Sequence, residues 1–178
     1  MRFSLCFLIL CALSGCSENC IISPKPVTDT KLCNQSNNLQ KEKKCLVQVF
    51  ADRTETDAGL MVQQGETYRI EAIKENTWCD ASRKNVALCG EDGTTLMNIF
   101  SPLKRVENSL WFSVIAEVKR TKNDKEQRSS QYDLCNTPKF EISTSGRLVL
   151  YPNDATGRYS NNSGAIWLQI ERLKKQND

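Results

Sequence analysis

Four oxygen-bearing side chains lie close together in one loop near the C-terminal end of the chain. Asn153, Asp154, Asn161 and Asn162 fall within ten residues. Hard cations such as calcium bind about six to eight oxygens from carboxylates, amide side chains and backbone carbonyls, and this loop offers all three kinds. The same residue types also close ordinary β-loops, because their side chains satisfy nearby backbone groups. We therefore interpret the loop as a candidate calcium site, with a plain turn as the alternative.

Two predicted strands position this loop. An apolar run at residues 148–151 enters it, and residues 165–171, which alternate between apolar and polar, leave it. Gly157 and Gly164 let the backbone turn back on itself. The pattern predicts a strand, a long loop and a second strand.

The rest of the chain also has the period of strands. Alternating or apolar runs cover residues 46–50, 68–73, 96–100, 110–118, 139–143, 147–151 and 165–172. The longest run, 110–118, suits the middle of a sheet, whereas the polar stretch 119–131 is expected to be an exposed hairpin or mobile loop. No helical period persists. Short strands separated by polar turns predict an all-β fold, a small antiparallel β-sandwich.

The first fifteen residues have the pattern of an export signal. Arg2 precedes an apolar run at residues 3–13, and small residues lead to Cys16. The apolar run is too short to span a bilayer. A cysteine at this place is typical of a bacterial lipoprotein signal, in which its thiol accepts diacylglycerol and the residue carries several acyl chains such as palmitate; the alternative is a plain secretory peptide. Ser17 favours the outer membrane. We expect a signal at 1–15, a tether at 16–44 and one β-sandwich domain at 45–178.

The chain contains nine cysteines. Two leave with the signal and one is lipidated, and the remaining six suit three disulfides in an oxidising envelope; they are Cys20, Cys33, Cys45, Cys79, Cys89 and Cys135. Cys79 and Cys89 bracket one polar loop, so we expect that pair first and leave the order of the others open. A zinc site is disfavoured, because the chain has neither histidine nor a CxxC pair.

Charge and composition narrow the function classes. The net charge of +3 falls to +2 without Arg2, which argues against nucleic acid as the partner. Catalytic triads built on histidine are excluded, because the chain has none. A carboxylate pair acting on a glycoside could combine Asp154 with Asp80, Glu91 or Asp92, but their spacing does not support it. We expect a protein that is not an enzyme.

The loop pattern Asn-Asp, a short turn and Tyr-x-Asn-Asn-Ser-Gly resembles the calcium and sugar-binding loop of the PA-I galactophilic lectin family. The resemblance covers residues 49–170 and is specific over 140–162; residues 65–78 and 90–93 match more weakly. It implies a jelly-roll-like, galactose-binding-domain-like β-sandwich with one calcium ion. In such lectins, two sugar hydroxyls complete the shell of the ion.

The resemblance also implies a role for individual residues. Calcium would be bound by the Asp154 carboxylate, by side-chain oxygens of Asn161 and Asn162, and by backbone carbonyls of Arg158 and Ala81. The sugar would contact Asp154, Asn161 and Ala155. Sugar contacts of the family outside this loop include a histidine, which this chain lacks, so galactose specificity does not transfer.

Together these patterns predict a lipid-anchored, calcium-dependent, carbohydrate-binding protein of the bacterial envelope, held at the outer membrane. The alternative is a structural or interaction lipoprotein that kept the lectin-like sandwich without binding sugar and contacts an envelope or secretion complex. A calcium-dependent rise in melting temperature separates the two.

Overall fold

The computed structural model describes residues 30–33, 43–73, 77–80, 83–120 and 129–173. The predicted signal at 1–15 and the predicted lipidation residue Cys16 lie outside these ranges, as do Cys20 and Ala81. The described residues form ten strands and one short α-helix, which in chain order are β1 (Lys44–Phe50), β2 (Thr56–Val62), β3 (Thr67–Ala72), β4 (Trp78–Asp80), β5 (Arg83–Val86), α1 (Thr95–Ile99), β6 (Val114–Lys119), β7 (Ser130–Asp133), β8 (Lys139–Glu141), β9 (Gly146–Pro152) and β10 (Asn162–Arg172). Within the same ranges, no helix is long and apolar enough to cross a bilayer.

Two antiparallel sheets make up the domain, and the predicted all-β sandwich is confirmed. One sheet runs in the order β5-β4-β10-β3-β8, with β1 paired to β10, and the other in the order β2-β9-β6-β7. A single hydrophobic core contains buried residues of both sheets, among them Val49, Ile70, Leu150 and Ile166. Alternation in β3 follows from this packing, because Tyr68 and Ile70 are buried and their neighbours are not. In β1, Val47 and Val49 belong to the core, and Leu46, which forms a bridge with Leu32, is buried as well.

The long strand β10 sets the position of the loop before it. Its first three residues, Asn162 to Gly164, pair with β4, whereas its last five pair with β3. In this register Asn162 lies directly opposite Asp80. The end of the candidate loop is therefore fixed beside a carboxylate that lies 82 positions earlier in the chain.

Two of the strand predictions need correction. Residues 96–100, predicted as a short strand, mostly belong to helix α1, in which no residue is buried and the Thr94 side chain accepts a hydrogen bond from the Met97 N–H. The apolar run at 110–118 becomes a strand only at Val114, because Phe112 takes a left-handed backbone conformation with φ of 61°. Strand β2 was not predicted, because Gly59 and Met61 on its less buried face are not polar and the sequence therefore shows no apolar–polar alternation, although Ala58, Leu60 and Val62 are buried in turn.

The predicted pairing of Cys79 with Cys89 is wrong. Cys89 is bonded to Cys135 and Cys33 to Cys45, and Cys79 is disulfide-bonded as well. Hydrogen bonds at the start of β6 explain why Cys89 pairs with Cys135. The Val114 N–H donates to the Leu88 carbonyl, and the Val114 carbonyl accepts from the Leu134 N–H, so the residues after Leu88 and Leu134 meet across one strand.

Part of the predicted tether packs on the domain. The Lys31 carbonyl accepts from the Leu46 N–H at 2.9 Å, and Leu32 forms a parallel bridge with Leu46. Cys33 is fully buried. Residues 30–33 therefore extend the edge of β1. The strands that flank the polar stretch 119–131 pair as an antiparallel hairpin, with Val118 opposite Ser130.

The two disulfides are expected to stabilise the domain unequally. In the chain-entropy model, a cross-link contributes more as the closed loop lengthens. Replacing both Cys89 and Cys135 by Ser, which opens a link across 46 positions, should cost about 4 kcal/mol. The matched Cys33→Ser/Cys45→Ser variant opens a link across 12 positions and should cost about 3 kcal/mol. Urea denaturation measures both, and the reverse order would contradict this expectation.

Candidate functional site

A cleft opens where the loop before β10 meets β4 and the segment around α1. Its volume is about 390 Å³, which lies within the roughly 300–1,000 Å³ of small-molecule sites. One side is mainly polar and consists of Asp80, Asp154, Ala155, Thr156, Arg158 and Asn161. The other side is apolar and consists of Leu96, Met97, Phe100, Leu103, Trp111 and Phe112. We call the second set the apolar wall.

Asp154 and Asn162 form the buried polar centre of the site. The Asn162 amide Nδ2 donates to Asp154 Oδ2 at 2.9 Å and to the Ala51 carbonyl at 3.2 Å. Both amide protons are used in this way, and the Asn162 Oδ1 has no hydrogen-bond partner among the residues that the structure describes. Since Asn162 is only 5% exposed, water does not readily satisfy this oxygen. A buried acceptor next to a carboxylate suits a cation.

Asp80 brings a second carboxylate to the same place. Its Oδ1 accepts a hydrogen bond from Asn161 Nδ2. The pKa of Asp80 is raised to about 6, mainly by burial and also by the negative charges of Asp154 and Glu91, while Arg83 lowers it. Two neighbouring carboxylates repel each other when both are ionised, and a cation between them stabilises the ionised form of both.

Asp154 is also shifted towards its neutral form. Burial raises the pKa of its carboxyl group, while the hydrogen bonds from Asn162 and the Ala155 N–H and the charge of Arg158 oppose this rise. The Ala155 N–H lies 2.6 Å from Asp154 Oδ1. One oxygen is thus oriented by the backbone and the other by Asn162, so the carboxylate has a fixed direction.

The structure brings most of the predicted site residues together. Asp154, Ala155, Arg158 and Asn161 line the cleft, and Asn162 bonds to Asp154 behind it. The prediction that Ala81 contributes a carbonyl falls outside the described residues. These placements leave the roles of the residues in binding calcium and sugar as predictions.

Sequence reasoning missed Asp80 as a candidate ligand and considered it only as half of a catalytic pair. A signal was present, because alternate residues of a strand face the same side. Trp78 is completely buried, and Asp80 lies two positions later in β4. The carboxylate therefore lies on the core-facing side of the strand at its end, where the cleft opens.

Asn153 has a structural role next to the candidate ligand. It is fully buried, and its Nδ2 lies 2.8, 3.3 and 3.0 Å from the carbonyls of Val106, Ser109 and Leu110. Its Oδ1 accepts from the Val106 N–H at 2.9 Å. Asn153 thus holds the loop that carries the apolar wall, while the next residue faces the cleft.

The same loop is fixed from its other side by a close backbone contact. Gly90 has φ of +71°, and a Cβ at this position would lie 2.2 Å from the Trp111 carbonyl oxygen. The Glu91 N–H donates to that carbonyl at 2.9 Å. Only glycine allows this approach. Tyr159, within the predicted motif, is buried and donates from its hydroxyl to the Pro152 carbonyl at 3.1 Å, which makes it a packing residue.

Truncating Asn153 is expected to weaken the whole loop assembly. Asn153→Ala removes the acceptor of the Val106 N–H and one donor from each of three carbonyls, which keep other donors in the same loop. An N–H left without an acceptor costs about 1–3 kcal/mol, and we expect a loss of about 2–3 kcal/mol in the free energy of unfolding once the lost carbonyl contacts are added. Asn98→Ala is the matched control, since Asn98 is exposed and makes one bond, to Gly93, and should lose less than about 1 kcal/mol. Equal losses in urea denaturation would contradict the anchoring role of Asn153.

No family model matches the sequence, and no curated protein matches it. Among solved structures, the chain is similar to the N-terminal domain of EclA, described as a PllA-like lectin. The similarity covers 71% of this chain and 94% of that chain, with 19% sequence identity and a TM-score of 0.46. The likeness is one of fold.

Proposed function

We propose that this protein is a carbohydrate-binding protein that uses one calcium ion and is held by lipid at Cys16 in the bacterial envelope. The observation that carries the proposal is the buried, unpartnered Oδ1 of Asn162 beside the Asp154 carboxylate. An acceptor in that position costs free energy until something positively charged or protic meets it. A sugar hydroxyl alone would be a weak partner for this oxygen, whereas a calcium ion fits the whole donor set.

The donor set fits calcium chemically. Asp80 and Asp154 offer carboxylates, Asn161 and Asn162 offer amide oxygens, and Arg158 offers a backbone carbonyl; all are hard oxygen donors. The described residues contain no cluster of three or more histidine, cysteine, aspartate or glutamate side chains, so the amides are needed to complete the shell. Two carboxylates neutralise a divalent ion, and this balance suits an uncharged ligand.

The residues around the cleft would have different roles in binding the sugar. Asn162 orients Asp154 through its amide, and Asn161 does the same for Asp80. When bound, calcium supplies the positive charge that holds a pair of sugar hydroxyls. The exposed edge of the cleft at Thr156 and Arg158 then lies where further hydroxyls of the sugar would be, and a guanidinium group is a ready donor to them.

Thermal unfolding in calcium tests this proposal. We expect the melting temperature to rise in millimolar CaCl2 and to rise further when a glycan array, run with and without chelator, has identified a sugar. Magnesium should give little effect, because it demands octahedral geometry and keeps its waters. An unchanged melting temperature in millimolar CaCl2 would contradict the proposal and favour the interaction lipoprotein.

The membrane anchor is tested separately. The proposal follows from the apolar run that ends at Cys16, and several acyl chains on one residue give stable anchoring, since each buried methylene adds about 0.8 kcal/mol. Cys16→Ser should move the protein from the membrane fraction to the soluble fraction and abolish palmitate labelling. Palmitate incorporation that survives this change would place the anchor elsewhere.

A further inference from the structure

The exposed apolar side chains of this protein are concentrated beside the cleft. Among the described residues, the exposed large hydrophobic side chains are Leu96, Ile99, Phe100, Leu103 and Leu110, which are between 42% and 68% exposed. Three of them, Leu96, Phe100 and Leu103, line the cleft opposite Asp80 and Asp154. An exposed apolar cluster on a soluble domain usually marks a binding surface.

The apolar wall is built into the site and is not a frayed segment. The Thr156 N–H donates to the Leu103 carbonyl at 3.4 Å, and the Arg105 N–H donates to the Asp154 carbonyl at 3.3 Å. Lys104 forms a bridge with Ala155. The end of the wall and the candidate calcium loop are therefore joined through their backbones, with Asn153 holding both. These bonds place Leu103 beside the calcium ligands, and the Leu103 N–H donates to the Phe100 carbonyl at 2.9 Å, which joins Phe100 to the same segment.

The charges in the cleft indicate which kind of ligand suits both its polar side and its apolar wall. With calcium bound, the two carboxylates are neutralised, the apolar wall has no charge of its own, and Arg158 at the exposed edge is the remaining charged side chain of the lining. A ligand that covers both the polar side and the apolar wall must offer hydroxyl groups at one end and an uncharged apolar group at the other. A plain monosaccharide on the ion would leave the exposed Leu96, Phe100 and Leu103 in water.

We infer that the cleft binds a glycoside that carries an alkyl or acyl chain, with the sugar at the calcium ion and the chain along Leu96, Phe100 and Leu103. This inference rests on the proposed function and names the substrate class of the same site. The contribution of the chain comes from apolar area removed from water, at about 0.8 kcal/mol per buried methylene. Two buried methylenes give about a tenfold gain in affinity.

Calorimetry with paired glycosides tests the inference on the full chain in CaCl2. The probes are octyl and methyl glycosides of galactose, glucose, mannose and fucose, with each octyl compound kept below its micelle concentration. We expect the octyl compound of the preferred sugar to bind at least about tenfold more tightly than the methyl compound. The Phe100→Ser/Leu103→Ser variant should lose this gain and keep the methyl glycoside affinity. Ile99→Ser is the matched control, because Ile99 is the last residue of α1, next to Phe100, is 68% exposed and does not line the cleft.

The outcomes separate this inference from the proposed function. Equal affinities of the octyl and methyl compounds, or an octyl gain that survives Phe100→Ser/Leu103→Ser, would overturn the inference and leave the proposed function standing. Octyl binding that does not depend on calcium would show an apolar site for another partner and would also overturn it. Calcium binding without binding of any glycoside rejects the inference and the sugar part of the proposal, whereas absence of calcium binding rejects the proposed function itself.

Discussion

Asp154→Asn is expected to abolish the stabilisation that calcium gives while leaving the calcium-free protein within about 1 kcal/mol of the wild type. Calcium at about 100 times its dissociation constant should stabilise the wild type by about 2.7 kcal/mol, which corresponds to about 5–10 °C in melting temperature for a domain of this size. The variant keeps the shape of the side chain and loses the charge that the ion requires. Burial already disfavours that charge, so its removal relieves desolvation and offsets a lost hydrogen bond.

Asp92→Asn is the matched control for this change. Asp92 is an exposed carboxylate near the same end of the domain that does not line the cleft, so its variant should keep the full calcium response. Differential scanning calorimetry with and without CaCl2 measures all three proteins. A calcium response of normal size in Asp154→Asn, or unfolding of that variant without calcium, would make Asp154 a turn residue.

The calcium response is expected to decrease as the pH falls below about 6, the pKa of Asp80. Metal ligands must be deprotonated, so the rise in melting temperature should be full at about pH 7.5 and clearly smaller at about pH 4.5, where protonation of Asp80 alone weakens calcium binding by about 30-fold. The calcium-free protein changes in the opposite sense. Because the folded-state pKa of Asp80 lies above the usual value of 3.8, the folded state binds this proton more tightly, and this group adds stability as the pH falls from above 6 towards 4.

Asp80→Asn isolates this group from the other carboxyl groups of the chain. Without calcium, the variant should be more stable than the wild type at about pH 7.5, and the difference should vanish at about pH 4.5, where the wild-type side chain is protonated. Melting temperatures across this range measure the difference. A constant difference at all pH values would show that the Asp80 carboxylate does not titrate near 6, and it would remove the electrostatic link with Asp154.

The sequence was most informative where one face of a strand is buried. Residues 68–71 alternate because Tyr68 and Ile70 pack in the core and their neighbours are not buried, and that pattern is local. The helix at Thr95–Ile99 differs from such strands, because none of its residues is buried. Its apolar side chains face the cleft or solvent, so their spacing carries no core period, and a strand was predicted in its place.

The candidate site was predictable only in the part that is continuous in sequence. Asp154, Asn161 and Asn162 could be recognised together because they share one loop. Asp80 joins them through the register of β4 against β10, which depends on the whole sheet. The bond between Cys89 and Cys135 depends in the same way on β6, since both cysteines follow residues that hydrogen-bond to Val114.

Terbium luminescence is the most direct test of whether the oxygens of Asp80, Asp154 and Asn162 converge on one cation. Terbium takes the same hard oxygen ligands as calcium, and it emits strongly when an excited tryptophan lies close by, as Trp111 does in the cleft wall. We expect emission that saturates at one equivalent, is displaced by calcium and is lost in Asp154→Asn. Emission that is absent, or that is unchanged in Asp154→Asn, would contradict the site.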